Sequence, residues 1–300
     1  MDSSKQRIKI AVQKTGRLTE HSLDLLERCG LKFTQSKDQL FCFGENMPID
    51  VLLVRDDDIP GLVADDICDL GIVGLNVVEE KRLGREYEGR ETLFDRVYEL
   101  DFGHCRLSIA APDEMPYTGL ESLQNSVIAT SYVSLLRDFL ERNKIDARIE
   151  YFSGAVEIAP KLGKADFICD LVSTGSTLAA NGLSEREVLL ESEAVIIQTR
   201  APLPEDKQEL VGRILQRLDG VLQVHESKYI MLHAPRKALD EICRLLPGSE
   251  APTVIPLEGT NDRVAVHAVC RENVFWETLE NLKAAGASSL LVLPVEKMLV

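Results

Sequence analysis

The chain has 300 residues, of which 45% are hydrophobic and 28% are charged, and its formal net charge is −15. This length predicts two or three domains with a sizeable core, and the composition is that of an ordinary globular protein. The acidic balance excludes a typical nucleic-acid surface but not a nucleotide site, which a few local basic groups can form. Seven scattered cysteines, no apolar leader and no membrane-length apolar run predict a cytoplasmic protein without a membrane partner.

The first part of the chain alternates predicted strands and helices, as an α/β fold does. The first units cover residues 7–13 (strand), 18–30 (helix), 49–55 (strand), 60–68 (helix), 69–74 (strand) and 76–86 (helix). Basic residues follow two of these strands, Lys14 and Arg17 after the first and Arg55 after the second. Open α/β sheets bind ligands at the carboxyl ends of their strands, so these cations are candidate phosphate ligands. Solvated loop charges would give the same pattern.

The remaining pattern predicts two further parts. A second α/β lobe covers residues 96–192, after which a strand over 193–199 and a helix over 205–222 return to the first lobe. We therefore expect a two-lobed, hinged core, with lobe I at residues 1–95 and 193–223 and lobe II at residues 96–192. Residues 224–300 read as βαββαβ, the ferredoxin-like order, and predict a separate small domain.

The most informative stretch covers residues 157–178, EIAPKLGKADFICDLVSTGSTL. It predicts a helix that ends near Gly163, then a buried strand, then a turn that opens a second helix. The turn, residues 173–177, holds four hydroxyls and one glycine, a composition suited to a phosphate cradle at a helix N-terminus. Asp170, at the end of the strand, could accept ribose hydroxyls or hold a metal bound to a phosphorylated sugar. Ordinary capping by Ser and Thr would also explain the turn.

Ten residues of this stretch have a spacing that resembles the signature of the ATP phosphoribosyltransferase family: Glu157, Gly163, Ala165, Ile168, Asp170, Leu171, Thr174, Gly175, Thr177 and Leu178. The resemblance to this family also covers the rest of the chain, through motifs that include QKTGRL, VRDDDIPGLV, DLGIVG, LDFGHCRLS, IATSY, ESKYIMLHAP and GASSLLVLPVEKM. The resemblance is to the long form of the family. It implies a two-lobed catalytic core of the periplasmic-binding-protein type II-like fold and a C-terminal ferredoxin-like domain that binds histidine.

The resemblance also implies a reaction, the first step of L-histidine biosynthesis. Adenine N1 of ATP attacks ribose C1 of phosphoribosyl pyrophosphate (PRPP), and N1-(5-phosphoribosyl)-ATP and pyrophosphate are formed. Mg²⁺ is the implied cofactor and L-histidine the implied feedback inhibitor, and dimers are expected to assemble into a hexamer. Such a transition state, with a cation-like sugar and growing negative charge on pyrophosphate, needs phosphate ligands and positioning more than a strong base.

The same resemblance assigns site residues. The implied PRPP ligands are Glu157, Asp170, Ser173, Thr174, Gly175, Ser176 and Thr177, with residues 154–156 lining the same pocket. The implied catalytic residues are Arg17, Arg55 and Asp170, and the implied ATP ligands are Lys14, Arg17, Asp69 and Gly71, with Gly74 beside them. The implied histidine contacts are His233, Ala234, Thr253 and Ser288. No residue is assigned to the metal.

Three further residues, Asp166, Cys105 and Gln39, have interpretations other than a direct role in the reaction. Asp166 reads as a solvated edge residue and Cys105 as a buried apolar thiol. Gln39 stands where family members often have an arginine, although Lys37 could supply the charge. The main alternative function is a non-catalytic small-molecule sensor, because two-lobed folds also bind solutes, but a sensor would not need a phosphate cradle beside a ribose-binding carboxylate. A regulatory subunit made of ferredoxin-like modules would leave the first 220 residues unexplained.

Overall fold

The computed structural model describes residues 7–34, 40–222, 227–246, 252–270 and 276–295. The chain divides by its packing into two units, residues 1–211 and residues 212–300. Gln39, Lys37 and the predicted domain boundary at residue 224 lie outside the described residues. Within the described ranges, every helix is too short or too polar to cross a membrane.

The described residues among the first hundred form five strands and three α-helices: β1 (Ile8–Gln13), α1 (Arg17–Arg28), β2 (Phe41–Phe43), β3 (Ile49–Val54), α2 (Ile59–Ala64), β4 (Leu70–Gly74), α3 (Leu75–Tyr87) and β5 (Phe94–Glu99). Strand β1 pairs in parallel with both β3 and β4. All five residues of β4 are buried, as expected for a central parallel strand. The carboxyl ends of β1, β3 and β4 therefore meet at one edge of this sheet.

A second sheet follows in chain order: β6 (Cys105–Pro112), β7 (Val127–Thr130), α4 (Val133–Asn143), β8 (Arg148–Tyr151), β9 (Phe167–Val172), α5 (Ser176–Ala180) and β10 (Leu183–Ser192). Its strand order is β10-β6-β9-β7-β8. Strand β7 pairs in parallel with β8 and β9, whereas β6 runs antiparallel to β9. We call this sheet and its helices lobe II.

The chain then returns to the first sheet through β11 (Ala194–Thr199), which precedes α6 (Glu205–Leu222). Strand β11 lies between β4 and β5, so the six-stranded sheet has the order β2-β3-β1-β4-β11-β5. We call this sheet and α1, α2 and α3 lobe I. Two crossovers, between β5 and β6 and between β10 and β11, connect the lobes, which confirms the predicted two-lobed core.

The C-terminal unit holds β12 (Lys228–Pro235), α7 (Leu239–Leu245), β13 (Thr253–Pro256), β14 (Arg263–Cys270), α8 (Trp276–Ala284) and β15 (Ser288–Pro294). Its antiparallel sheet has the order β13-β14-β12-β15, which confirms the predicted ferredoxin-like βαββαβ arrangement. Buried aliphatic residues of the sheet, such as Ile230 and Leu232, pack with Ile242 of α7 and Leu282 of α8.

Two local expectations were wrong, and one strand was missed. The helix expected to end near Gly163 is only a short 3-10 turn, Val156–Ile158, followed by turns; Pro160 has no N–H to donate to a longer helix. Strand β10 was not predicted at all. All of β5, up to Glu99, pairs within the first sheet, so the expected lobe boundary at residues 95 and 96 falls inside a strand.

Candidate active site

The predicted cradle, residues 173–177, follows the carboxyl end of β9 and leads into α5. Gly175 adopts φ +79° and ψ −1°, a left-handed conformation that glycine adopts without steric cost. The hydroxyls of Thr174 and Ser176 lie 3.0 Å apart, and the side chains of Ser173 and Thr177 are exposed. Because the first N–H groups of a helix have no partner inside it, this turn presents both hydroxyls and backbone donors.

A cavity of about 340 Å³ joins the cradle to lobe I. Besides the five cradle residues it is lined by Glu157, by Asp170 of β9 and by Arg17, the first residue of α1. The structure thus brings together the seven residues assigned as PRPP ligands and one of the assigned arginines. Residues 154–156, which were expected to line the same pocket, are not among the described residues that line it. Arg17 supplies a positive charge from the opposite lobe, which an anion in the cradle would need.

The surroundings of Asp170 in this cavity shift the pKa of its carboxyl group. Burial, and then the nearby Glu157 carboxylate, raise the pKa of Asp170, although the Leu171 N–H donates to its Oδ1 at 2.8 Å. A half-buried carboxylate next to a second one favours a ligand that brings positive charge or hydroxyl donors. The ribose ring of a sugar phosphate, which becomes cationic during displacement at C1, offers both.

A second cavity, of about 590 Å³, adjoins the first and shares Asp170 with it. Lobe I contributes residues that follow β3 and residues of α3, among them Asp57, Lys81 and Arg85. Lobe II contributes residues 131–134, which include Tyr132, and residues that follow β8. Burial raises the pKa of the Tyr132 phenol, so this group stays protonated over the physiological range, and its oxygen accepts a hydrogen bond from Asn76 Nδ2 at 3.0 Å.

An ion pair behind the cradle was not predicted. The Arg106 guanidinium binds both carboxylate oxygens of Glu185, each at 2.5 Å, and donates to the Ser173 carbonyl at 3.4 Å. The Ser108 hydroxyl also donates to Glu185, at 2.6 Å, and these bonds hold the pKa of Glu185 below its ordinary value. Because β10 was missed, sequence reasoning had no partner for Arg106.

The resemblance assigned Asp69 and Gly71 to ATP, and both have protein contacts in the structure. Asp69 precedes β4, at its amino end. Its carboxylate oxygens accept hydrogen bonds from Lys207 Nζ, at 2.8 and 3.0 Å, and from the backbone N–H of Lys9, at 2.8 Å. A Cβ on Gly71 would come within 2.5 Å of Ile59, so this glycine allows close packing. Neither residue is among the described residues that line the two cavities, and each has a structural explanation, so their assignment to ATP stays a prediction.

The other basic candidates lie near the site edge. Lys14 is exposed, and its N–H donates to the Val54 carbonyl at 2.7 Å, which fixes the ends of β1 and β3 together. Arg55 is exposed and precedes the 3-10 turn Asp56–Asp58. Neither side chain is among the described residues that line the two cavities. Gly74 ends β4, where a Cβ would come within 2.4 Å of the Asn76 side chain.

The predicted histidine contacts are only partly brought together. His233 on β12 is the register partner of Ser288 on β15, so these two are adjacent. Ala234 is fully buried and its side chain packs into the core of the domain. Thr253 pairs with His267 of β14, and β14 separates it from β12.

Three other groups lie outside the cavities. Asp166 is exposed and accepts the Val127 N–H at 2.8 Å, in agreement with an edge role. Burial raises the pKa of the Cys105 thiol, which fits an inert cysteine. Asp101, His104 and Glu193, at the two crossovers, form the single His and carboxylate group within metal-binding distance among the described residues, but two of the three are exposed.

Comparison with known proteins gives the family. The model described as "HisG: ATP phosphoribosyltransferase" matches residues 55–220, and the model described as "HisG, C-terminal domain" matches residues 225–297. The ATP phosphoribosyl transferase (HisG:HisZ) complex from Thermotoga maritima contains a similar chain, with a TM-score of 0.58 and 22% identity over 71% of this chain and 98% of that one. The alkanesulfonate-binding protein SsuA from Xanthomonas axonopodis pv. citri is a weaker match, with a TM-score of 0.45 and 16% identity over 73% of this chain and 74% of that one.

The two-lobed α/β core holds a cavity lined by a hydroxyl-rich turn, a half-buried carboxylate and an arginine, an arrangement suited to a phosphorylated ligand, and a separate C-terminal unit follows this core. The two family models together cover most of the chain. The chain therefore belongs to the ATP phosphoribosyltransferase family, in its long form, and is a pentosyltransferase of histidine biosynthesis. The predicted family and fold class are thereby confirmed.

Proposed function

We propose that this chain condenses ATP with PRPP, joining adenine N1 to ribose C1 and releasing pyrophosphate. The observation that carries the proposal is the position of Asp170, which lies on the wall shared by two cavities. One cavity offers a phosphate cradle and the other has the size and the phenol ring suited to a nucleotide. A reaction between a sugar phosphate and a nucleotide needs such a junction, because its two reacting atoms must meet there.

PRPP occupies the smaller cavity in this proposal. The cradle, residues 173–177, holds the 5-phosphate through hydroxyl and backbone N–H donors, and each such charge-assisted bond contributes roughly 1.5–3 kcal/mol. Asp170 and Glu157 face the ribose, where they accept its hydroxyls and stabilise positive charge at the ring as the C1–O bond breaks. Arg17, from lobe I, pairs with the phosphate groups.

ATP occupies the larger cavity. Tyr132 presents a half-buried aromatic ring and a phenol for the adenine, and Lys81 and Arg85 of α3 are the cations among the described residues that line this cavity. Lys14 and Arg55, at the exposed ends of β1 and β3, are proposed to reach the triphosphate or the departing pyrophosphate. The nucleophile is a neutral ring nitrogen, so the mechanism requires no activated serine, cysteine or histidine.

Mg²⁺ is the proposed cofactor. Hard divalent cations prefer carboxylate and phosphate oxygens, and Glu157 and Asp170 are carboxylates in the PRPP cavity whose mutual repulsion a cation would relieve. Bound with PRPP, the ion would neutralise negative charge on the pyrophosphate. The chain's own residues orient the ribose and the 5-phosphate.

The C-terminal domain is the proposed site of feedback inhibition by L-histidine. His233 and Ser288 are adjacent on β12 and β15, and Arg263 Nη2 donates to the Ser288 hydroxyl at 2.6 Å, so a polar group suited to an amino acid exists at this edge. Inhibition requires that histidine bind two states of the enzyme with different affinity. We propose that these states belong to a homo-oligomer, a dimer that assembles into a hexamer.

The direct test incubates the purified chain with ATP, PRPP and Mg²⁺ and follows product absorbance and pyrophosphate release. Turnover that requires both substrates and falls when L-histidine is added would support the proposal. An inactive chain that still binds PRPP would instead favour a sensor.

A further inference from the structure

Helix α3 belongs to lobe I by sequence but packs on lobe II. Leu83 is buried in the lobe II core with Leu107 and Leu136. A Cβ on Gly84 would lie 3.2 Å from the Ser134 hydroxyl, which shows how closely α3 and α4 approach. These contacts make α3 the element that connects the two lobes along the edge of the larger cavity.

Glu80 of α3 makes two hydrogen bonds to lobe II. Its Oε1 accepts the Ser134 N–H at 2.8 Å and its Oε2 accepts the Leu135 N–H at 2.9 Å. Both donors are in the first turn of α4, where N–H groups have no partner within the helix and a carboxylate is favourable. Tyr132, the residue that precedes α4, provides no side-chain cap among the described contacts. The cap of α4 thus comes from the other lobe.

This cap lies next to the proposed reaction centre. Glu80, Tyr132, Ser134 and Asp170 line the same cavity. Asn76, one helical turn before Glu80, fixes the Tyr132 phenol by its 3.0 Å bond and is itself held by the hydroxyl of Ser192 at 2.9 Å. Both oxygens of Glu80 are used by backbone donors, so its carboxylate is placed to hold structure and not to take a proton from a substrate.

We propose that Glu80 is a positioning residue for the ATP cavity: by capping α4 from lobe I, it fixes the distance between the lobes and the orientation of residues 131–134. The expected effect of Glu80 on ATP kinetics rests on the proposed function. The cap itself, by which Glu80 of lobe I binds the first turn of α4 in lobe II, rests only on the two hydrogen bonds.

The test compares Glu80→Ala and Glu80→Gln with Glu79→Gln, a matched control. Glu79 is the neighbour on the same helix, and its carboxylate pairs with Arg82 at 2.8 Å. Amide hydrogen exchange of the full chain measures the cap: Glu80→Ala should speed exchange at Ser134 and Leu135 about tenfold, the factor that corresponds to about 1.4 kcal/mol. Glu80→Gln, which retains one acceptor oxygen, should give an intermediate effect.

Steady-state kinetics measure the positioning role. We expect the KM for ATP to rise about tenfold in Glu80→Ala with kcat changed less, because the lost contact orients the cavity and does not touch the reacting atoms. A variant that had only lost stability would keep the wild-type KM. Unchanged exchange, or faster exchange with an unchanged KM, would overturn the inference. A wild-type chain without turnover would refute the proposed function, and the exchange data would still decide whether Glu80 caps α4.

Discussion

Gly175→Ala separates the role of the cradle glycine in folding from its role in binding. Gly175 has φ +79° and Gly163, at the other end of the same stretch, has φ +64°. A Cβ at either position meets no protein atom within 4 Å. An alanine in the left-handed region costs roughly 1–2 kcal/mol. Both Gly175→Ala and Gly163→Ala should therefore lower the free energy of unfolding by about 1–2 kcal/mol.

The two variants should differ in PRPP affinity. Gly175 lines the smaller cavity, so its new methyl group would occupy the space in which the 5-phosphate contacts the backbone donors. The loss of one charge-assisted hydrogen bond of about 1.5–3 kcal/mol corresponds to roughly 10- to 150-fold weaker binding. Gly163→Ala lies outside the residues that line this cavity and should bind PRPP as the wild type does.

Calorimetric titration with PRPP and Mg²⁺, together with urea unfolding followed by circular dichroism, measures both quantities on the same samples. Equal losses of stability with a loss of affinity in Gly175→Ala alone would support the cradle. The reasoning would be refuted if Gly175→Ala bound PRPP within about threefold of the wild type, or if Gly163→Ala weakened binding as much.

Three further outcomes are expected. Asp69→Asn leaves the partly buried Lys207, whose side chain is 13% exposed, without its counter-charge and should lower the free energy of unfolding by at most about 3–5 kcal/mol. Urea unfolding measures this loss, and the KM for ATP should not change; a raised KM at unchanged stability would support the ATP assignment. Burial raises the pKa of Asp170 above its ordinary value of 3.8. At a pH above the pKa of the folded state, the ionised carboxylate therefore lowers the free energy of unfolding, and this loss of stability disappears below pH 3.8, where the group is protonated in both states. Asp170→Asn should accordingly increase stability at pH 7 but not at pH 3, and it should abolish turnover. The control Asp166→Asn should change neither stability at pH 7 nor turnover. Urea unfolding at both pH values and the turnover assay measure these effects. Deletion of residues 225–300 should abolish histidine inhibition, and oligomeric state must be measured in parallel, since inhibition that persists would locate the effector site elsewhere.

The cradle could be predicted because its information is local. A buried strand, a turn of hydroxyls around one glycine, and a following helix are contiguous in the sequence, and the strand direction fixes which end of the sheet they occupy. Asp170 and residues 173–177 therefore lie together as expected. Arg17 was also predictable, because a residue after the first strand of an α/β sheet lies at the same kind of edge.

The features that the sequence did not predict have physical causes. Asp69 precedes β4, at the amino end of the strand, whereas open α/β sheets bind ligands at the carboxyl ends, so its assignment to ATP rests on the resemblance alone. Strand β10 contains Glu185, Glu187 and Glu191, and so many charges indicate a solvated segment unless partners such as Arg106 are known. The role of Glu80 was hidden for a similar reason: a glutamate on an amphipathic helix is normally solvated, and its partners are more than 50 residues away along the chain.

The position of β11 has a consequence for how the chain folds. Lobe II is continuous in sequence, from β6 to β10, and can complete its sheet from its own residues. Lobe I cannot, because β11 lies between β4 and β5 and is synthesised only after the whole of lobe II. Contacts between strands so distant in sequence form slowly, since a long loop must close first. We expect the inserted lobe to fold first on the ribosome. Until β11 is synthesised, β4 remains an unpaired edge of the first sheet and β5 has no strand to pair with.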